Sequence, residues 1–268
     1  MSRSGVSPCL KREGGLPEGN NGKLQKEEKM EIKVKGRDIY EIYEKLGAVP
    51  MSDNRAEDTM LEWGDIKKMI NENRENELKI GAEYMAGDRI YQVADIDTDK
   101  HVVTFCQKYI LEFKSMSDGK NGWSECDMRR YLNSDVFRSL PEEVQHVISA
   151  RTYFVSTGCD KKELVAVTDK LFLPRMVEVF GEPDDDISRL EKEKGGARQF
   201  KLFKKTKERI KTAENDEGEA RWYWLATSYS STYFCSVYTS GTSDCGNASG
   251  AGGVVPCFII AADDQDAA

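Results

Sequence analysis

The chain has 268 residues, 39% hydrophobic and 32% charged, which is enough for one large domain with a heavily charged surface, or one domain plus a small module. A net charge of −8 and a pI near 5.1 argue against wholesale nucleic-acid binding, and no apolar run approaches the length of a membrane span. Seven cysteines, an odd number without CxxC spacing, point to reduced thiols rather than a disulfide frame.

Residues 1–29 are rich in Gly, Lys and Glu and nearly free of large apolar residues, the composition of a disordered leader. They lack the apolar centre of a secretory signal, and Met30 is an alternative start. A cytoplasmic or virion-associated location is expected. Residues 30–78 read as a small helical lead-in: Ile39, Ile42, Tyr43 and Leu46 fall at helical spacing, as do Ile66, Met69 and Ile70. RIYQVADI and HVVTFCQ are β-branched and aromatic runs joined by DTDK, which predicts a hairpin. In GWSECDMRRYLN, Ser124 and Asp127 form a candidate capping box, and Met128, Tyr131 and Leu132 make one apolar face. Pro141 opens a second helix whose buried face is Val144, Val147 and Ile148. TYFV and KLFL read as short strands. Residues 184–220 alternate acidic and basic blocks, with Phe200, Phe203 and Ile210 as apolar anchors, the pattern of an insertion carrying a basic helix. RWYWLAT and GVVPCFII are strands. Short strands set apart from helices predict an α+β fold.

Between those last two strands lies SYSSTYFCSVYTSGTSDCGNASGAGG, residues 228–253, whose composition departs from the rest. It holds one charged residue, Asp244, and no Lys, Arg, Glu, Gln, Met or Leu. A flexible Ser/Gly linker is one reading, but the regularly interleaved aromatics and the following strand weigh against it. A second reading is a hairpin that closes a sheet, with 229, 231 and 233 on one side and 236, 238, 240 and 242 on one side after a break at Phe234. A third is a binding surface. Tyr gives large contact area with few rotamers to freeze, and Ser, Gly and Asn adapt their hydrogen bonding. Ordering a Lys or Glu side chain instead costs up to about 2 kcal/mol. Tyr229, Tyr233 and Tyr238 set among Ser and Gly would then form one face.

WYWLAT, FCSV and GGVVPCFII together resemble the C-terminal end of the variable proteins of diversity-generating retroelements. GWSECDMRRYLN, SLPEEVQHVI and KLFLPRMVEVFG resemble the bacterial and phage DUF6273-like domain that shares this signature. The resemblance covers roughly residues 80–260 and is weakest across 184–220. It implies a C-type lectin-like domain over 79–262, with a variable region at 228–253 and a tail at 263–268. In that family a reverse transcriptase copies a template and randomises its adenines, mostly in AAC codons. An NNC codon cannot encode Lys, Glu, Gln, Met or Trp, and none of these occurs in 228–253. The resemblance implies that the diversified, ligand-binding positions are Tyr229, Ser231, Tyr233, Ser236, Tyr238, Ser240, Thr242, Asp244, Cys245, Gly246, Asn247, Ser249, Gly250 and Gly252. Phe234, Val237, Gly241, Ala248, Gly253 and Pro256 would be framework. Where relatives often carry Leu-Arg-Ser, this chain has Leu225, Ala226 and Thr227, so a buried Arg is lost.

The implied function is non-enzymatic recognition of a macromolecule, a protein in the first instance, with no cofactor, no metal, no nucleic acid and no membrane span. A sugar-binding module, a formylglycine-generating-type enzyme on the same fold, and a structural phage tip protein are the alternatives. Only His101 and His146 are present, neither in a ligand or triad pattern. No carboxylate–amide cluster suits calcium near the C-terminus. Cys235 and Cys245 could pair, although their spacing does not fit the oxidase pattern. KLFKKTKERIK is expected to be a solvated basic helix, and Trp222 and Trp224 a platform under the binding face.

Overall fold

The computed structural model describes residues 61–117, 122–158, 163–182, 185–214, 218–230 and 232–263. The expected leader 1–29, the helical pattern at Ile39–Leu46, Ser231 and the end of the tail lie outside the described residues.

Helix α1, Trp63–Asn71, forms where Trp63, Ile66, Met69 and Ile70 recur on one face, and all four are buried. Its anchor is Trp63, whose ring lies 5.2 Å from Phe105 and 5.6 Å from Phe258. The indole Nε1 donates to the Met85 carbonyl at 2.7 Å. Phe105 and Phe258 belong to a four-stranded antiparallel sheet of order β1-β2-β3-β13, made of β1 (Glu83–Ala86), β2 (Arg89–Asp97), β3 (Val102–Gln107) and β13 (Cys257–Ala261). The hairpin expected from RIYQVADI and HVVTFCQ is the β2–β3 pair. The described residues, 61–263, fall within one compact unit. The described end of the expected lead-in is therefore built into the same core as the sheet, not set apart from it.

A second sheet of five strands has the order β11-β10-β9-β12-β4. It contains β4 (Phe113–Lys114), β9 (Tyr223–Ser228), β10 (Tyr233–Val237), β11 (Ser243–Asn247) and β12 (Gly252–Gly253). All six residues of β9 are buried, so this strand is the spine of the sheet. Between β4 and β9 in sequence come α2 (Asp127–Tyr131), which continues as a π turn over Leu132–Val136, and α3 (Glu142–Val147). The cap of α2 is Cys126, whose Sγ accepts from the Arg129 N–H at 3.4 Å. Ser124 sits inside a preceding 3₁₀ turn, so the expected capping box does not form.

β5 (Arg151–Ser156) pairs with β6 (Leu164–Asp169). KLFL forms no strand; Phe172 makes a single bridge to Cys257. Helix α4 (Met176–Phe180) follows. The charged segment then folds as α5 (Asp186–Glu193), a 3₁₀ turn at Leu202–Lys204, α6 (Thr206–Arg209) and the ribbon of β7 (Lys211–Thr212) with β8 (Ala220–Arg221). Phe200 and Phe203 are buried as expected of anchors, whereas Ile210 is exposed. The architecture is α+β, with no helix among the described residues long and apolar enough to cross a membrane.

Candidate functional site

The segment 228–253 wraps the outer end of the five-stranded sheet. β10 lies inside it, paired antiparallel with β9 on one side and β11 on the other. β11 is the edge strand, paired with β10 on one flank and with no further strand on the other. This difference sets exposure residue by residue. Phe234, Cys235, Ser236 and Val237 are buried, while Ser243, Asp244, Cys245 and Asn247 on the neighbouring strand are exposed.

Two turns and a loop complete the rim. At one end the Tyr233 carbonyl accepts the N–H groups of Tyr229 (2.8 Å) and Ser230 (3.1 Å). At the other, the Tyr238 N–H donates to Thr242 O and the Gly241 N–H donates to Tyr238 O, both at 2.8 Å. Gly241 has φ +79° and lies against the Thr206 carbonyl, where a Cβ would come within 3.0 Å. The loop after β11 is held by Asn247, whose Oδ1 accepts from the Ser249 N–H and hydroxyl. It is also held by Ala248, whose N–H and carbonyl bond Thr232 and Met116.

Tyr229, Tyr233 and Tyr238 are 51%, 40% and 49% exposed. Ser240, Thr242, Asp244, Cys245, Asn247 and Ser249 are exposed, and Gly250 is half-buried. The expected single tyrosine face is instead a rim with two ends. Tyr229 and Tyr233 stand at one end, with Tyr233 directly opposite Asn247. Tyr238 lies five residues further along the chain, roughly 17 Å for extended backbone.

Three of the expected variable positions are corrected. Ser236 is 2% exposed, held in the sheet between Trp224 and Asp244. Gly246 and Gly252 lie on two indoles that meet edge-to-face at 4.8 Å, Trp222 and Trp224. A Cβ on Gly246 would come within 2.7 Å of Trp224 Cη2, and one on Gly252 within 2.6 Å of both Trp222 Cη2 and Trp224 Nε1. Ser236 is therefore enclosed, and neither glycine position has room for a Cβ unless the indoles shift. Trp224 is itself fixed, buried with its Nε1 donating to the Lys114 carbonyl at 2.9 Å. The framework positions Phe234, Val237, Gly241, Ala248, Gly253 and Pro256 are all buried.

Behind the rim, β9 is tied to the charged segment by a chain of polar groups that sequence reasoning missed. Thr227 is fully buried. Its Oγ1 accepts the Met176 N–H at 2.9 Å and donates to Glu191 Oε2 at 2.7 Å. Burial pushes the Glu191 carboxyl up to about 7, against the pull of Arg175 and the Thr227 hydroxyl. Burial also works against the charge of Glu178, but Arg151 and Arg175 outweigh it and hold that carboxyl at about 2. Helix α5 turns the polar Ser188 and Glu191 inward, so its apolar pattern gave no signal of this role.

A second buried cluster explains the GWSECDMRRYLN stretch. Trp123 Nε1 donates to Tyr153 Oη (2.7 Å), Tyr153 Oη donates to Asp169 Oδ2 (2.8 Å), and Arg129 Nε donates to Asp169 Oδ1 (2.7 Å). Asn133 Oδ1 accepts from the N–H groups of Lys170 and Leu171, and its Nδ2 donates to the Leu171 carbonyl. These groups pin α2 and its π turn to the end of β6, which is a structural role.

Cys235 and Cys245 are direct cross-strand partners. Among the described residues no three His, Cys, Asp or Glu side chains gather so as to hold a metal ion. No curated protein and no solved structure matches the chain. The family described as a domain of unknown function, DUF6273, matches residues 101–262, from the turn before β3 to just past the end of β13. The rim, its indole platform and the buried network behind it all fall inside that match, and the chain belongs to the DUF6273 family.

Proposed function

We propose that this chain is a non-enzymatic target-recognition protein in which a C-type lectin-like scaffold displays a rim diversified by retroelement-directed adenine mutagenesis. The supporting observation is how exposure sorts one compositionally odd segment. From Tyr229 to Gly253 the exposed positions carry Tyr, Ser, Thr, Asn, Asp, Cys and one Ala, and the large apolar side chains Phe234 and Val237 are buried. Such a rim offers aromatic contact area at low entropic cost on a backbone fixed by sheet pairing. The α+β scaffold with its last strand paired to the β2–β3 hairpin supplies that fixed backbone. The ligand is a macromolecule, a protein first, with the tyrosines as candidate hot spots.

The test is to sequence the 220–260 coding region and its surroundings across independent isolates. The proposal expects a near-copy with AAC at the variable codons, and substitutions concentrated at Tyr229, Tyr233, Tyr238, Ser240, Thr242, Asp244, Cys245, Asn247 and Ser249. Uniform conservation of these codons, with no neighbouring near-copy, would overturn it. Once a ligand is in hand, replacing Tyr229, Tyr233 and Tyr238 together should weaken binding at least tenfold, and unchanged affinity would place the contact elsewhere.

A further inference from the structure

Away from the rim, and sharing no residue with it, the four-stranded sheet turns a partly polar face toward β5. Cross-strand register aligns Asp95, Thr104 and Ile259 in one row, and Asp97, Val102 and Ala261 in the next. Arg151, Thr152 and Phe154 of β5 line the same cleft as these rows, as do Gly195, Gly196, Arg198 and Phe200. Together they bound a cleft of about 500 Å³, within the size range of small-molecule sites.

The charges along this cleft do not balance. On one wall Arg198 is matched by two carboxylates, Asp95 at 2.6 Å and Asp97 at 3.2 Å. On the other, two guanidinium groups, Arg151 and Arg175, share the single carboxylate of Glu178. With Lys100 the lining carries four cations against three anions. The next carboxylate, Glu191, stands behind Arg175 and is given over to Thr227.

Arg151 is also preorganised. Its guanidinium lies over Phe172 at 4.3 Å and Tyr153 at 4.8 Å from the ring centroids, which fixes its plane. Its Nη1 is buried and has no hydrogen-bond partner among the described residues, and the same holds for Arg175 Nε. Buried guanidinium donors are normally satisfied, and a planar, stacked guanidinium is suited to bidentate recognition of carboxylate or phosphate. Gly196, in the loop at the side of the cleft, has open space where a side chain would stand.

We propose that this cleft binds a small organic anion, its carboxylate or phosphate end received by the Arg151 guanidinium and its body lying along Ile259 and Phe200. The rival source of the same chemistry, free phosphate, is separated by the choice of probes.

The experiment is calorimetric titration of the full chain with benzoate, phenyl phosphate, inorganic phosphate and the uncharged benzyl alcohol. Expected is saturable one-to-one binding of benzoate or phenyl phosphate, at least tenfold tighter than benzyl alcohol. Saturation by inorganic phosphate as tightly as by phenyl phosphate assigns the site to the anion alone and overturns the organic-ligand proposal. Arg151→Gln should weaken binding at least tenfold. Because Arg151 also pairs with buried Glu178, a second variant is needed. Ala150→Phe fills the cleft from an exposed position and removes no charge, so it should abolish binding while leaving the unfolding midpoint unchanged. No saturable heat with any anion up to millimolar concentration would overturn the proposal, as would binding that survives Ala150→Phe.

Discussion

Strands β10 and β11 come from one compositionally uniform segment and lie side by side, yet four of five residues are buried in the first and none in the second. Ser236 and Asp244 are direct partners across this pair, one enclosed and the other open to solvent. What separates them is place in the sheet: β10 is flanked on both sides and β11 on one. Tolerance to substitution therefore follows strand order rather than residue type, and a Tyr/Ser/Gly stretch is not a display surface throughout.

The sharpest way to break this comparison is Gly252→Tyr, which drives a ring into Trp222 and Trp224. Overpacking of this kind commonly costs 1–3 kcal/mol, and without room to relax we expect about 4 kcal/mol in urea unfolding. A midpoint within experimental error of the parent would show that the indoles yield.

Next in size is the support behind β9. The Glu191 carboxyl is raised from 4.5 to about 7 in the folded chain, so the native state holds a proton that the unfolded state has lost. Stability from this group is full below about pH 4.5 and falls as pH rises through 7, on the order of 3 kcal/mol in all. Glu178 is depressed, so its contribution has the opposite sign: present above pH 4.5 and lost as pH falls toward 2. Glu191→Gln should flatten the decline between pH 5 and 8 in denaturant titrations. An unchanged slope would mean that Glu191 is ionised in its buried site.

Smaller again is the paired test on the hairpin itself. Ser236→Tyr should cost about 1–3 kcal/mol, because the position is enclosed. At the exposed rim, Thr242→Tyr and Tyr233→Ser should each stay within about 0.5 kcal/mol. Equal effects at 236 and 242 would erase the distinction between interior and edge strand.

Much of the scaffold was legible in the sequence because it rests on local pattern. The spacing of Ile66, Met69 and Ile70 announces α1, DTDK between two β-branched runs announces the β2–β3 hairpin, and Pro141 marks the start of α3. The alternation of Trp222 and Trp224 placed both indoles together. What escaped depended on tertiary contact. The strand β6 was missed because KLFL, just beyond it, reads as the strand instead of LVAVTD, and only pairing with β5 shows that the strand ends at Asp169. Cys126 displaced Ser124 as the cap because the chain makes a 3₁₀ turn first. The segment 184–220 reads as an insertion carrying a basic helix, and nothing in its polar pattern marks Ser188 and Glu191 as the buried residues of α5. At the rim, strand alternation placed Tyr233 and Tyr238 outside correctly but put Ser236 with them. Alternation assigns a side of the sheet and says nothing of what covers it.

The two glycines seated on the tryptophan rings have a consequence at the level of the gene. In the proposed copying process the errors fall on adenines of the template, so a template triplet GGC, which contains none, is copied unaltered. The steric demand of the platform and the chemistry of the proposed copying error would then protect the same two triplets, 246 and 252, with no need to purge misfolded offspring. Serine can be spelled with or without adenine, so the template triplet at the enclosed Ser236 should be TCN, out of reach, and the template triplets at the solvent-facing Ser240 and Ser249 should contain adenine.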